Sequence, residues 1–382
     1  MQARSNRLSL SVTTLALTAA RCTFASSRGG IALAAVEEKT FEEVLDLTKT
    51  TPRDLLLGNG FSMAAHDGFD YRQLLKRASV PDDVAAIFAS HRTSNFEAVM
   101  RVLLAESVGM NPNQARESRE KIEALKTALI HSVHEVHPPR RSRISDPQWA
   151  RCEDFLEHFI GKKRPGRIFT TNYDLLLAWA VGPDRDRKKP ETRFKAYEGF
   201  RGGTYGAALG SATIIYLHGA LHLYMGRDYM GRDWPQQMQW WATGVALHDQ
   251  IADHLRRGEF PIFVTEGAST LKEPKSPGFL KDAHTAFKST CNIGAKKTLF
   301  TLGHRLGQED AHILSLIPQG TVETLCLGAF RRAEMDAFRE IANGWVAARA
   351  KAGKPPLKVY IFNSEDVVWG PNPANVSSNP EV

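Results

Sequence analysis

The chain has 382 residues, of which 42% are hydrophobic and 24% charged; these are the proportions of a soluble globular protein, and they exclude disorder as its general state. A chain of this length buries a core without a disulfide or metal staple. The formal charge of +7 falls to +3 once the four arginines of residues 1–36 are set aside, so nucleic acid is not an expected partner.

Residues 1–36 carry Arg4, Arg7, Arg21 and Arg28 and no acid. The apolar run from Leu8 to Ala20 is diluted by Ser and Thr, and the small-residue pattern Ala32-Leu33-Ala34 lies too far downstream of it for a cleavage site. The segment therefore reads as an unstructured extension or an over-long start, with an export signal and an organelle-type presequence as the alternatives. No stretch reaches the length of a membrane span. Cys22, Cys152, Cys291 and Cys326 form no C-x-x-C pair, which suits a reducing, cytoplasmic compartment and predicts no zinc.

The pattern FEEVLDL at 41–47 predicts a short amphipathic helix. A strand at Asp54 to Leu57 follows, stops at Gly58-Asn59-Gly60, and leads into a helix from Phe61. Helical spacing dominates 82–137, and Pro138 and Pro139 end it; an α-helical insertion over about 82–165 is expected. His131, His134 and His137 read as a helix terminus, where cationic side chains meet the negative end of the dipole. The basic clusters at Arg140, Arg141 and Arg143, at Lys162 to Arg164 and at Arg185 to Lys189 read as solvated loops.

Strands are then expected at Arg167 to Thr170, Ala212 to Leu217, Pro261 to Thr265, Lys297 to Leu302, 321–327 and 357–362, with helices at Leu175 to Val181, 309–317 and 331–350. A Gly-rich stretch spans Gly199 to Gly210, Trp234, Trp240 and Trp241 form a Trp-rich segment, and the tandem MGRDY, MGRDW is too short to mark a repeat architecture. The tail from Gly370 reads as disordered. Short apolar strands alternating with helices predict an α/β fold: a Rossmann-like parallel sheet with helices on both faces, carried by residues 37–369.

Chemistry concentrates at three strand ends. Gly58-Asn59-Gly60-Phe61-Ser62 is a place where a phosphate can meet backbone donors at a helix start, although tight turns use the same residues. In Thr171-Asn172-Tyr173-Asp174, Thr171 could cap the next helix and Asp174 could face its first turn; equally, Asn172 stands where ligands gather in open α/β sheets. His218 ends the next strand, where it can relay protons beside Gly219, which leaves room for a ligand. His222 completes an H-x-x-x-H spacing without the following Glu, so no metal site is expected.

Taken in order, LLLGNGFS, FTTNYD, YLHG and LFTLGHRLGQEDAHI resemble the sirtuin-like bacterial families, with FPIFVTEGAST between the last two marking a separate branch. The resemblance spans Phe41 to Phe362. It implies that Gly58, Gly60 and Ser62 form a phosphate-side loop, that Asn172 holds water or ribose near the scissile glycosidic bond, and that His218 is the catalytic histidine. Gly303 matches the loop near the adenosine half and Asp310 an acidic position of that branch; Asn59, Thr171, Asp174 and His304 complete the implied cofactor contacts. Sirtuins that deacylate proteins carry a four-cysteine zinc module and an acyl-lysine channel motif, and neither stands here. The resemblance thus implies NAD as ligand and its hydrolysis to nicotinamide and ADP-ribose, in a setting such as anti-phage defence, with self-association as a further partner class. The alternatives are a module that senses NAD or ADP-ribose without turnover and a nucleic-acid-associated protein.

Overall fold

Strands buried on both faces must be apolar at nearly every position, and Arg53–Leu57, Ile168–Thr170, Ile214–Tyr216 and Thr298–Leu302 are buried throughout. In the computed structural model they belong to a parallel sheet; the structure describes residues 36–162, 165–182, 193–206, 209–227, 230–239, 244–263, 278–365 and 367–370. In chain order the strands are β1 (Val36–Glu38), β2 (Arg53–Leu57), β3 (Ile168–Thr170), β4 (Phe200–Arg201), β5 (Thr204–Tyr205), β6 (Ile214–Tyr216), β7 (Gly219–Arg227), β8 (Asp233–Gln237), β9 (Pro261–Phe263), β10 (Thr298–Leu302), β11 (Thr324–Ala329) and β12 (Lys358–Asn363).

Seven of them form the parallel sheet in the order β1-β12-β11-β10-β2-β3-β6. The expected α/β class with a Rossmann-like parallel sheet is what the chain adopts. From β2 the chain builds outward to β3 and β6, whereas from β10 it builds the other way, so the direction of winding reverses between β2 and β10. In open α/β sheets ligands collect outside the carboxyl ends of strands at such a reversal.

The early helices are α1 (Phe41–Leu47), α2 (Gly60–Ala65), α3 (Tyr71–Arg77), α4 (Asp82–Ser90), α5 (Phe96–Glu106), α6 (Pro112–Val136), α7 (Asp146–Ile160) and α8 (Leu176–Val181). Thr40 and Glu43 cap α1 reciprocally, and Asn111, Gln114 and Pro112 start α6 the same way. Helices α4 to α7 occupy most of residues 82–160. Val133, Leu129, Leu125 and Ile122 are the buried stripe of α6 at helical spacing.

The later helices are α9 (Leu247–Arg256), α10 (Gly278–Cys291), α11 (Ala311–Leu314), α12 (Leu316–Gln319) and α13 (Arg332–Lys351).

Several expectations change. The extension cannot include Val36, which pairs with Val359 in β1; residues 1–35 lie outside the described residues, as do 371–382. The helix expected at 309–317 divides, because Pro318 has no N–H to offer Leu314 and the chain enters through a 3-10 turn at Gln308–Asp310. The strand expected at 321–327 begins at Thr324, since the Thr321 and Val322 amides are both taken by Cys291 O at 2.8 Å. His137 is no helix-end cation: burial pushes its pKa down to about 3, and its neutral ring accepts from Leu175 N at 3.0 Å. Arg141 is not a solvated loop charge either, for it reaches Glu153 at 2.7 Å and lies 4.1 Å above the Trp149 ring. Lys163, Arg164, Arg185 to Lys189, Trp240 and Trp241 lie outside the described residues.

A second sheet was not foreseen. Strands β4-β5-β8-β7-β9 form it in antiparallel pairing, and Pro261–Phe263 joins it rather than the core. The MGRDY and MGRDW copies fall on and between β7 and β8, where Gly226 faces Trp234.

Candidate functional site

At the reversal the two strand-end loops interlock. Gly58 N donates to Leu302 O at 3.0 Å and Gly60 N to Gly303 O at 2.8 Å. A Cβ on Gly58 would stand 2.7 Å from Gly303 O, and one on Gly303, whose φ is +66°, would stand 2.4 Å from Phe61 N. Phe61 N and Ser62 N turn back to Gly58 O and Asn59 O at 3.0 Å. These glycines therefore let one loop touch the other, and most amides of the expected phosphate cradle are spent inside the protein. Asn59 Nδ2 likewise donates to Phe69 O at 3.0 Å.

Behind that loop lies a buried polar chain. Ser62 Oγ donates to Asp174 Oδ2 at 2.5 Å and accepts from Asn172 Nδ2 at 2.8 Å. Burial raises the Asp174 pKa, against the hydroxyl and amide donors that lower it. Asn172 Oδ1 is buried without a hydrogen-bond partner, an unmet acceptor on a residue that lines the cavity described below. Ser62 is wholly buried and does not line the cavity, so its influence passes through Asn172. Thr171 does not cap α8: its amide and hydroxyl both face Leu57 O, at 3.0 and 3.5 Å. Asp174 does meet the first turn, accepting from Leu176 N at 2.8 Å.

His218 stands beyond β6, and its Nε2 lies 3.4 Å from Asp310 Oδ1 and 3.2 Å from His312 Nε2. His304, after β10, places its Nε2 3.0 Å from Asp310 Oδ2, while its Nδ1 accepts from Leu306 N at 3.0 Å. Burial lowers the His218 pKa in opposition to the Asp310 charge, which leaves the imidazole neutral. Burial alone would raise Asp310, yet the nearby His304, together with the charge that His218 and His312 carry when protonated, holds its carboxyl well below the usual carboxylate range. Folding thus brings together His218, His304 and Asp310 from the sequence reading and adds His312, which had stood unremarked in the QEDAHI motif. His222 goes elsewhere, 3.7 Å from Glu198. Gly219, at φ +82°, makes room for β9, since a Cβ there would meet Ile262 O at 1.9 Å, and not for a ligand.

Sequence reasoning missed Glu97. It lies buried at the start of α5, where Tyr71 OH donates to Oε2 at 2.9 Å and Tyr173 OH to Oε1 at 3.1 Å. Burial, helped by the charge of Asp310, pushes its pKa up to about 7. An acid in a first helical turn is ordinary, so no sequence signal marks it.

These groups surround one cavity of about 740 Å³, within the usual range for cofactor pockets of about 300–1,000 Å³. Gly58, Asn59, Gly60, Thr171, Asn172, Asp174, His218, Gly303, His304, Asp310 and Glu97 all line it, together with Arg305 and Arg331. The family model described as Domain of unknown function (DUF4917) matches residues 55–369, more than half of the chain and every one of these positions. The chain belongs to the DUF4917 family. The DUF4917 match opens in β2 and ends at Trp369, a residue of the cavity lining whose Nε1 donates to Phe61 O of α2 at 2.8 Å. No curated protein matches the sequence. Among the described residues, no helix is long and apolar enough to cross a membrane.

Proposed function

We propose that this chain binds NAD in the cavity between the β2 and β10 loops and hydrolyses its nicotinamide glycosidic bond. Water adds to the ribose carbon as that bond breaks, giving nicotinamide, ADP-ribose and one proton. The observation that carries the reading is the convergence of Asn172, His218 and Asp310 on one cavity at the carboxyl ends of the parallel strands.

The chemistry supports it. Bond breaking develops positive charge on the ribose, and an ionised Asp310 beside the cavity favours that charge. Neutral His218 can accept the proton, with Asp310 at 3.4 Å to stabilise the imidazolium. The unpartnered Asn172 Oδ1 can orient water or a ribose hydroxyl. With most of the loop amides spent, the pyrophosphate falls to Arg305 and Arg331. The free, buried Cys152, Cys291 and Cys326 support a reducing cytoplasmic setting, and a role in defence is what the sirtuin-like resemblance implies.

Incubation of the purified chain with NAD, followed by chromatography, tests the reading. Nicotinamide and ADP-ribose in equal amounts are expected, and Asn172→Ala or His218→Ala should each lower turnover by about 10²–10⁴-fold. Saturable NAD binding without products would make the protein a sensor; absence of NAD binding would reject both readings.

A further inference from the structure

We propose that His218, His312 and Asp310 form a binding site for one divalent first-row transition-metal ion at the wall of the cavity. The two imidazole Nε2 atoms are 3.2 Å apart, and Asp310 Oδ1 is 3.4 Å from His218 Nε2. Ligands bound tetrahedrally at about 2.0–2.1 Å from a zinc-sized ion stand about 3.3–3.4 Å from one another, so both edges are within about 0.2 Å of the required length. All three donor atoms lie within 4.8 Å of one another, which makes closing the third edge a side-chain adjustment.

The rings are arranged for it. Their planes are within 14° of parallel with centroids 5.2 Å apart, so with Nε2 facing Nε2 they meet tip to tip rather than face to face. The second carboxylate oxygen of Asp310 lies 3.0 Å from Nε2 of His304, whose own Nδ1 accepts from the Leu306 amide. Such outer partners orient metal ligands and leave the other oxygen for the ion. Two imidazoles and one carboxylate select zinc, cobalt, nickel or iron(II) over magnesium or calcium, which prefer oxygen. Three protein ligands leave at least one coordination position, and two of the three, His218 and Asp310, line the cavity that Asn172 also lines.

This inference rests on donor geometry and competes with the hydrolase reading for His218 Nε2. An ion on His218 Nε2 takes up the lone pair that a proton would use there, so metal binding is measured without nucleotide. The full chain, stripped with chelator and dialysed, is titrated with Co²⁺ and followed by its visible absorption, with Zn²⁺ as competitor and Mg²⁺ as control. Saturation at one Co²⁺ per chain is expected, with loss of the bands on adding Zn²⁺ but not Mg²⁺.

Near-isosteric His312→Gln and Asp310→Asn should each weaken Co²⁺ affinity by about 10-fold or more, whereas His134→Ala, at the separate His134 and His248 stack, should leave it unchanged. Circular dichroism of each variant confirms its fold. No saturable binding, retained affinity in both folded variants, or loss of binding in His134→Ala instead would overturn the proposal and leave His218 and His312 as a simple hydrogen-bonded pair.

Discussion

Ser62 Oγ donates a 2.5 Å hydrogen bond to Asp174 Oδ2, joining α2 to the loop after β3 through buried side chains. Because Asn172 Nδ2 donates to the same hydroxyl at 2.8 Å, the orientation of the amide that faces the cavity depends on a serine that never reaches it.

Ser62→Ala should therefore lower stability by about 1–3 kcal/mol, since it strips Asp174 of a donor and Asn172 of an acceptor in a buried setting. Urea unfolding of variant and wild type measures it. Equal midpoints would show that the hydroxyl is dispensable.

Glu97 makes stability depend on pH. Its folded pKa is raised from 4.5 to about 7, so below pH 4.5 both states are protonated and its contribution is intact. As pH rises toward 7 the unfolded chain releases the proton first, and stability declines until the folded state also ionises. At about 1.4 kcal/mol per pH unit the full loss is on the order of 3 kcal/mol, and Glu97→Gln should abolish it. Denaturant unfolding of both proteins at pH 5 and pH 8 decides: parallel changes in the two would refute the assignment.

Gly303 and Gly344 should respond oppositely to alanine. Gly303→Ala forces a side chain into φ +66° with its Cβ 2.4 Å from Phe61 N, which costs at least about 1–2 kcal/mol. Gly344 sits inside α13 with open space for 4 Å around the position a Cβ would take, so Gly344→Ala should gain about 0.5–1 kcal/mol. Thermal unfolding of the pair separates close loop approach from ordinary helix propensity.

Asp54 is wholly buried and accepts from Arg167 N at 2.8 Å, Thr290 Oγ1 at 3.0 Å and Lys297 Nζ at 3.0 Å. Lys297→Ala leaves that carboxylate without its counter-charge and should cost up to about 3–5 kcal/mol. Adding Asp54→Asn should recover part of the loss. Additive losses in the double variant would mean that the two charges are not coupled.

Much of the candidate site was legible because strand ends announce themselves. An apolar run stopped by Gly58, by Thr171-Asn172, by His218 or by Gly303 marks a carboxyl end, and parallel pairing sets those ends side by side. What the run could not reveal is which donors remain free. The Gly58 to Ser62 segment reads alike whether its amides await a phosphate or, as here, bond to Leu302, Gly303, Gly58 and Asn59.

By itself the sequence determined the α/β class, the main strands and helices and the strand-end positions, since periodicity, turn residues and proline breaks act over a few neighbours. Only the tertiary structure decided that β10 lies beside β2, that His218 meets His312 across 94 residues, and that Tyr173 meets Glu97 across 76. Two-residue strands such as β4 and β5 carry no period, so the second sheet was equally hidden. The physical reason is that long-range pairings follow from packing and burial of the whole chain, and the pKa of Glu97 or Asp310 is set by neighbours that the local sequence does not contain.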